Sequence, residues 1–195
     1  MCRDQHVKHH SLETVFRCQA GRYKIVLTRK VTSGPASSAL LAAKLIDSSE
    51  ELLVSYCDDY LAFSVDHFLS SVRNHNAAGA IVTYPSADPR CSYVEKEPSG
   101  RVIRTAEKKI ISRYASTGLY YFSRGTDFIK AAREMIRKKR AAPNGEYFVC
   151  PVYNELIAEK KKVISYDISA KQKLGMGIFS EIRQFPAKFN RLEKH

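Results

Sequence analysis

The sequence predicts an α/β fold with a mostly parallel central sheet and a small antiparallel hairpin. Three observations carry this. Short apolar runs rich in β-branched residues alternate with stretches of helical periodicity, the early runs are separated by about a dozen residues, and one later pair flanks a tight Pro-Ser-Gly turn. Strands separated by helix-length segments are joined by crossovers, which make parallel pairs, whereas a short turn can only join antiparallel ones.

Taken in order, Tyr23 to Thr28 reads as a strand, and after Ser33-Gly34-Pro35 an Ala/Leu-rich stretch to Ile46 reads as a helix. Leu52 to Tyr56 is the next strand and stops at Cys57-Asp58-Asp59. Val65, Phe68, Leu69 and Val72 share one face of a helix running to His75. Ala80 to Tyr84 is a strand ended by Pro85. Cys91 to Glu95 and Arg101 to Thr105 form the hairpin about Pro98-Ser99-Gly100. An aromatic strand, Thr117 to Phe122, precedes an amphipathic helix from Asp127 to Lys139, with Phe128, Ala132 and Met135 near one face. Beyond Pro143-Asn144-Gly145 come a helix to Glu159, a strand from Val163 to Asp167, and a helical segment that Pro186 is expected to break. No repeat or low-complexity linker interrupts the pattern, so residues 1–195 are expected to form a single domain.

Composition narrows the function classes. Apolar residues make up 44% and charged residues 27%, the balance of a globular chain rather than a disordered one. No apolar run approaches the ~18 residues that cross a bilayer, and the polar opening from Met1 to His6 lacks the pattern of a secretory signal, so no membrane partner is expected. Five scattered cysteines without a Cys-x-x-Cys pair fit reduced thiols in the cytoplasm better than a disulfide frame or a zinc site. Lys and Arg outnumber Asp and Glu by 32 to 20, for a net +12, which points to an anionic partner. Neither Arg-Gly repeats nor paired aromatic motifs are present, so nucleic acid is not the expected anion.

Several segments carry chemistry. Asp58 and Asp59 follow an apolar strand, the edge of an α/β sheet where ligands bind, and a carboxylate there suits Mg²⁺; a strand-ending turn is the simpler account. Ser33 to Ser38 leads into a helix whose first N–H groups suit a base or a phosphate, or merely cap the helix. Glu107-Lys108 follows a strand, where a lysine can neutralise a phosphate or simply sit in water. Residues 130–162 hold nine basic and four acidic side chains, as an anion site or as solvated helix ends. His6, His9 and His10 share a helical face.

In order and spacing these segments resemble the sugar-1-phosphate nucleotidyltransferases, the pyrophosphorylases that make nucleotide sugars. The resemblance runs through Gly34-Pro35-Ala36-Ser37-Ser38, Leu52-Leu53-Val54 with Cys57-Asp58-Asp59, Tyr84-Pro85, Ser92-Tyr93-Val94, Ala106-Glu107-Lys108, Ser116-Thr117-Gly118, and Asn144-Gly145-Glu146-Tyr147. It implies a Rossmann-like, GT-A-like sandwich and Mg²⁺-dependent transfer of a nucleotidyl group from a nucleoside triphosphate to a sugar 1-phosphate. It implies that Gly34, Pro35 and Ala36 border the base and that Asp58, with Asp59 beside it, binds the metal. Glu107 would meet the sugar and Lys108 its phosphate. Thr117 and Gly118 would line the sugar pocket, with Asn144, Gly145 and Glu146 nearby.

The resemblance starts at the family's second strand, so its first strand and Gly-rich triphosphate loop are expected to be missing, with apolar strand edges exposed and a homodimer as one consequence. The family's second metal aspartate should fall near Gly175-Met176-Gly177, where no acid stands. The rival expectation is a non-catalytic nucleotide-sugar-binding or regulatory domain.

Overall fold

The computed structural model describes residues 1–192. The chain opens with β1 (Cys2–Arg3), α1 (Asp4–His9), α2 (Leu12–Gln19) and β2 (Leu27–Thr28), the two strands pairing in parallel. Two short helices follow, α3 (Pro35–Leu40) and α4 (Ala43–Ile46), where the sequence suggested one. Then come β3 (Leu52–Ser55), β4 (Asp59–Leu61), α5 (Val65–Asn74), β5 (Gly79–Pro85), β6 (Ser92–Lys96), β7 (Val102–Glu107) and β8 (Tyr114–Phe122). The rest is α6 (Gly125–Arg137), α7 (Tyr153–Ala158), β9 (Val163–Asp167), β10 (Lys173–Gly175) and α8 (Phe179–Leu192). No helix among the described residues is long and apolar enough to cross a membrane, and none of the five cysteines is in a disulfide.

The central sheet is mixed, which corrects the expectation of a mostly parallel one. Only β5 and β9 pair in parallel; β8 lies antiparallel to β3, β5 and β6, and β6 is antiparallel to β7. The physical reason lies in β8. Because β3, β5 and β9 share one direction, the apolar pattern reads as a run of parallel strands, but β8 enters reversed between β3 and β5 and converts both contacts to antiparallel ladders.

Side chains alternate across β8 and build two cores. Tyr120 and Phe122 face a cluster with Phe128, Met135, Tyr153 and Leu156, while Leu119 and Tyr121 face Phe68, Val72, Val82 and Ile164. Helices α6 and α7 therefore cover one face of the sheet and α5 the other, giving the expected sandwich. Phe122 is the hub of the first core, stacked on Tyr153 at 4.6 Å and edge-on to Phe128 at 5.0 Å. Tyr153 in turn donates its hydroxyl to the sheet carbonyls of Ala80 and Tyr121, at 2.9 and 2.8 Å.

The hairpin β6–β7 joins β8 at Tyr93↔Ala115, and its turn folds back so that Ser165 N donates to Gly100 O at 2.9 Å. The basic run at the end of α6 is folded inward: Lys138 and Arg140 clasp the buried Glu155 at 2.8 and 2.6 Å. The expected break at Pro186 does not occur. Proline removes one helical hydrogen bond, but Phe185 and Phe189 on either side of it both pack on Tyr60, at 6.1 and 5.1 Å, and carry α8 through.

Phe122→Ala should lower the unfolding free energy by about 3–5 kcal/mol, the range for removing a buried aromatic ring. Urea unfolding followed by circular dichroism checks this; an unchanged midpoint would show that the two cores do not depend on that ring.

Candidate functional site

The reversal of β8 creates the site. Strand β3 leaves β8 at Ser55↔Leu119 and β6 meets it at Tyr93↔Ala115, so Ser116 to Gly118 form a floor between the end of β3 and the β6–β7 hairpin. On one side the chain runs from Tyr56 to Asp58; on the other stand Glu107 and Lys108. Gly118 has φ +86°, and a Cβ there would come within 3.0 Å of the Tyr56 ring, so glycine alone lets the floor pass beneath Tyr56. Thr117 is buried and donates its hydroxyl to Val82 O at 3.1 Å, leaving its backbone at the floor.

Glu107 is 8% exposed and accepts a hydrogen bond from Ser92 Oγ. Burial pushes its carboxyl above the ordinary value, more than the Ser92 hydroxyl and the Lys108 charge lower it. Tyr56 contributes a buried hydroxyl that has no hydrogen-bond partner among the described residues; burial, then the nearby Glu107 charge, push its acidity down. Lys108 adopts φ +51° and holds its ammonium over the Phe148 ring at 4.8 Å.

Phe148 belongs to the segment that brings the remaining residues together. Tyr147 N donates to Ser33 O at 2.7 Å and Ala36 N to Tyr147 O at 2.9 Å, a two-bond latch between the Gly34 turn and the 144–148 loop. Gly34 has φ +111°, and a Cβ would lie 2.7 Å from the Tyr147 backbone. The Gly34 turn is thus placed beside the 144–147 loop, a contact that the sequence reading, which set Asn144, Gly145 and Glu146 near Thr117 and Gly118, did not specify. The start of the six-residue α3 is engaged by this loop rather than open, since the Ala36 N–H is spent on Tyr147.

The two adjacent aspartates part company. Asp58 is exposed, its backbone O accepts from Met176 N at 2.7 Å, and a Cβ at Gly177 would lie 3.1 Å from its Oδ2. Asp59 is the first residue of β4 and is paired with Lys173 on β10, Nζ to Oδ1 2.5 Å. Burial raises the Asp59 carboxyl more than Lys173 lowers it. Glu181, at the start of α8, accepts from Gly177 N at 3.1 Å.

Among the described residues no three His, Cys, Asp or Glu side chains converge as a metal cage, the three N-terminal histidines included. Mg²⁺ does not require one: it is commonly held by one or two carboxylates with water and substrate phosphates completing the octahedron, and an exposed Asp58 at a strand end, without an ion pair among the described residues, fits that donor set. Tyr56, Phe148, Lys173 and Glu181 were not singled out in the sequence, and Ser92 stood there only as part of a motif, without a role. Tyr56 had a signal, two residues before Asp58; the others reach the site only through tertiary contacts. A separate concavity of about 520 Å³ opens beside Ala77, Ala78 and Ser123, at the other end of β5 and β8. Its cations Arg73, Arg124 and Lys161 are all ion-paired with Glu51 or Asp127.

Glu107→Gln should raise the melting temperature at pH 7. A carboxyl raised by burial stabilises the fold below its ordinary value of 4.5, and that contribution is lost as the pH rises through the folded value. The gain from the neutral amide should therefore vanish as the pH falls below 4.5. Thermal melts of both proteins across that range test it; a gain independent of pH would contradict the burial argument.

A family model described as nucleotidyl transferase matches residues 8–170. No curated protein matches the chain. Among solved structures, the nucleoside-diphosphate-sugar pyrophosphorylase from Vibrio cholerae RC9 superposes with a TM-score of 0.76 at 24% identity, covering 94% of this chain and 77% of that one. The inositol-1-phosphate CTP transferase from T. maritima gives 0.69 at 14% identity, covering 98% and 74%. At these identities the likeness shows the fold.

Proposed function

Because the chain belongs to the nucleotidyl transferase family, we propose that it moves a nucleotidyl group from a nucleoside triphosphate onto a sugar 1-phosphate, acting as one domain. The observation that supports this is the stretch of β8 left between the end of β3 and the β6–β7 hairpin, with the exposed Asp58 following β3 and the exposed Lys108 following β7. In the reaction a phosphate oxygen of the sugar 1-phosphate attacks the α-phosphorus, the bond to the bridging β-phosphate oxygen breaks, and pyrophosphate leaves. Such a transfer needs placement and charge neutralisation rather than a protein nucleophile.

In this reading the Gly34-Pro35-Ala36 turn takes the base. Glu107, with Thr117 and Gly118 as floor and Asn144, Gly145 and Glu146 as rim, takes the sugar. Lys108 holds the sugar phosphate as a point charge, its position supported by Phe148. Asp58 would hold Mg²⁺, which when bound supplies positive charge to the phosphates. The buried Glu107, kept in place by Ser92, is suited to accept hydrogen bonds from sugar hydroxyls. Five free thiols support a reducing, cytoplasmic setting.

A pyrophosphate-release assay across the four common nucleoside triphosphates and a panel of sugar 1-phosphates, with and without Mg²⁺, tests the proposal. Lys108→Ala should raise KM for the sugar 1-phosphate about tenfold, the low end for a hydrogen bond to a charged group because Lys108 is exposed. Asp58→Asn should abolish the Mg²⁺ dependence of turnover. Nucleotide-sugar binding by calorimetry with no turnover under any condition would favour the non-catalytic binding domain instead.

A further inference from the structure

The two aspartates after β3 offer a metal two adjacent carboxylates, and the structure treats them differently. Asp59 opens β4, and β4 pairs antiparallel with β10 in the register Gly175↔Asp59 and Lys173↔Leu61. Lys173 therefore stands diagonally across from Asp59, within reach of a long side chain. Its ammonium lies 2.5 Å from Asp59 Oδ1 and 5.3 Å from the centroid of the Tyr84 ring. Both partners are largely shielded, with side-chain exposures of 16% and 15%. The third carboxylate at this edge, Glu181, is bound to the Gly177 N–H. Asp58 alone is exposed and without a side-chain ion pair among the described residues.

We infer that Lys173 is a positioning residue, a resident counter-ion that withholds Asp59 from a divalent cation and leaves Asp58 as its aspartate ligand. The inference rests on the reading of Asp58 as the metal-binding carboxylate. Turning Asp59 toward an incoming ion would strand the Lys173 ammonium in a shielded position against Tyr84, and an uncompensated charge there is costly. The fixed ammonium also repels a second cation. One aspartate holds Mg²⁺ weakly when the ion arrives alone, because affinity follows the number of charged ligands. The site is thereby built to take the ion together with the phosphates of its substrate.

The test is isothermal titration calorimetry of the full chain with MgCl₂ and MnCl₂ alone, no substrate present, on the wild type and four variants. Lys173→Met frees a carboxylate and removes a positive charge, so it should bind the ions at least about tenfold more tightly, as ligand charge count dictates. Lys173→Arg keeps the pair and should match the wild type. Lys173→Met combined with Asp59→Asn removes both charges and should return the affinity to the wild-type value. Asp58→Asn should remove binding.

Equal or weaker binding by a cooperatively melting Lys173→Met variant overturns the inference. Should that variant fail to fold, Lys173→Gln, whose amide still donates to Asp59, serves instead, with tighter binding again expected and unchanged binding again fatal. If Asp58→Asn abolishes binding while Lys173→Met leaves it unchanged, this inference falls and the Asp58 reading stands. Metal binding that survives Asp58→Asn overturns both.

Discussion

Strand β8 is laddered along both of its edges, to β5 on one and to β3 and then β6 on the other, and from Ala115 to Phe122 it is buried throughout. The central sheet and the helices that cover it take their places from that strand. Its alternating side chains nucleate the two cores, so α6 and α7 settle on one face and α5 on the other. Its reversed direction puts its own N-terminal half beside the C-terminal ends of β3 and β5. A strand interior, Ser116 to Gly118, thereby lies between the end of β3 and the β6–β7 hairpin, where in an all-parallel sheet loops alone would stand.

The charge excess of +12 is less concentrated in three dimensions than along the chain. Glu155 draws in Lys138 and Arg140, Asp127 draws in Arg124 and Lys161, and Asp167 draws in Lys96. Two of these acids are nearly fully buried, at 3% and 4% exposure, and a buried carboxylate without a partner would be prohibitively costly, so the cations are structural requirements of the fold. Within the basic run 137–140, Lys138 and Arg140 thus serve as helix-end clasps on Glu155. Lys108 is different: it is exposed, rests on the Phe148 ring, and has no ion pair among the described residues.

Glycine geometry ties the cleft to its surroundings. At Gly34 a side chain would collide with the Tyr147 backbone, and the latch that forms there carries the 144–146 loop to the α3 turn. At Gly118 a side chain would press on Tyr56. Both residues have positive φ, which an L side chain rarely adopts, so two distant segments are joined at positions where backbone freedom is required.

Much of this molecule was legible before any coordinates. The spans of α5, α6, β5, β9 and the β6–β7 hairpin follow from local periodicity and turn chemistry, because a strand or helix that buries one face must write that face into its own sequence. The strand-end positions of Asp58 and of Glu107-Lys108 were legible in the same way. Strand direction was not, since an apolar run reads alike in either sense, and so the sheet was expected to be mostly parallel where β8 makes it mixed. The short strands β4 and β10 were invisible because three residues hold no period; their pairing supplies what stabilises them. That pairing alone brings Lys173 to Asp59 across 114 residues of chain, and it divides two adjacent, chemically identical aspartates into one shielded ion-pair member and one exposed carboxylate. Residue type and local pattern set which elements form; partner, direction and charge state depend on contacts between segments remote in sequence, which only the folded chain creates.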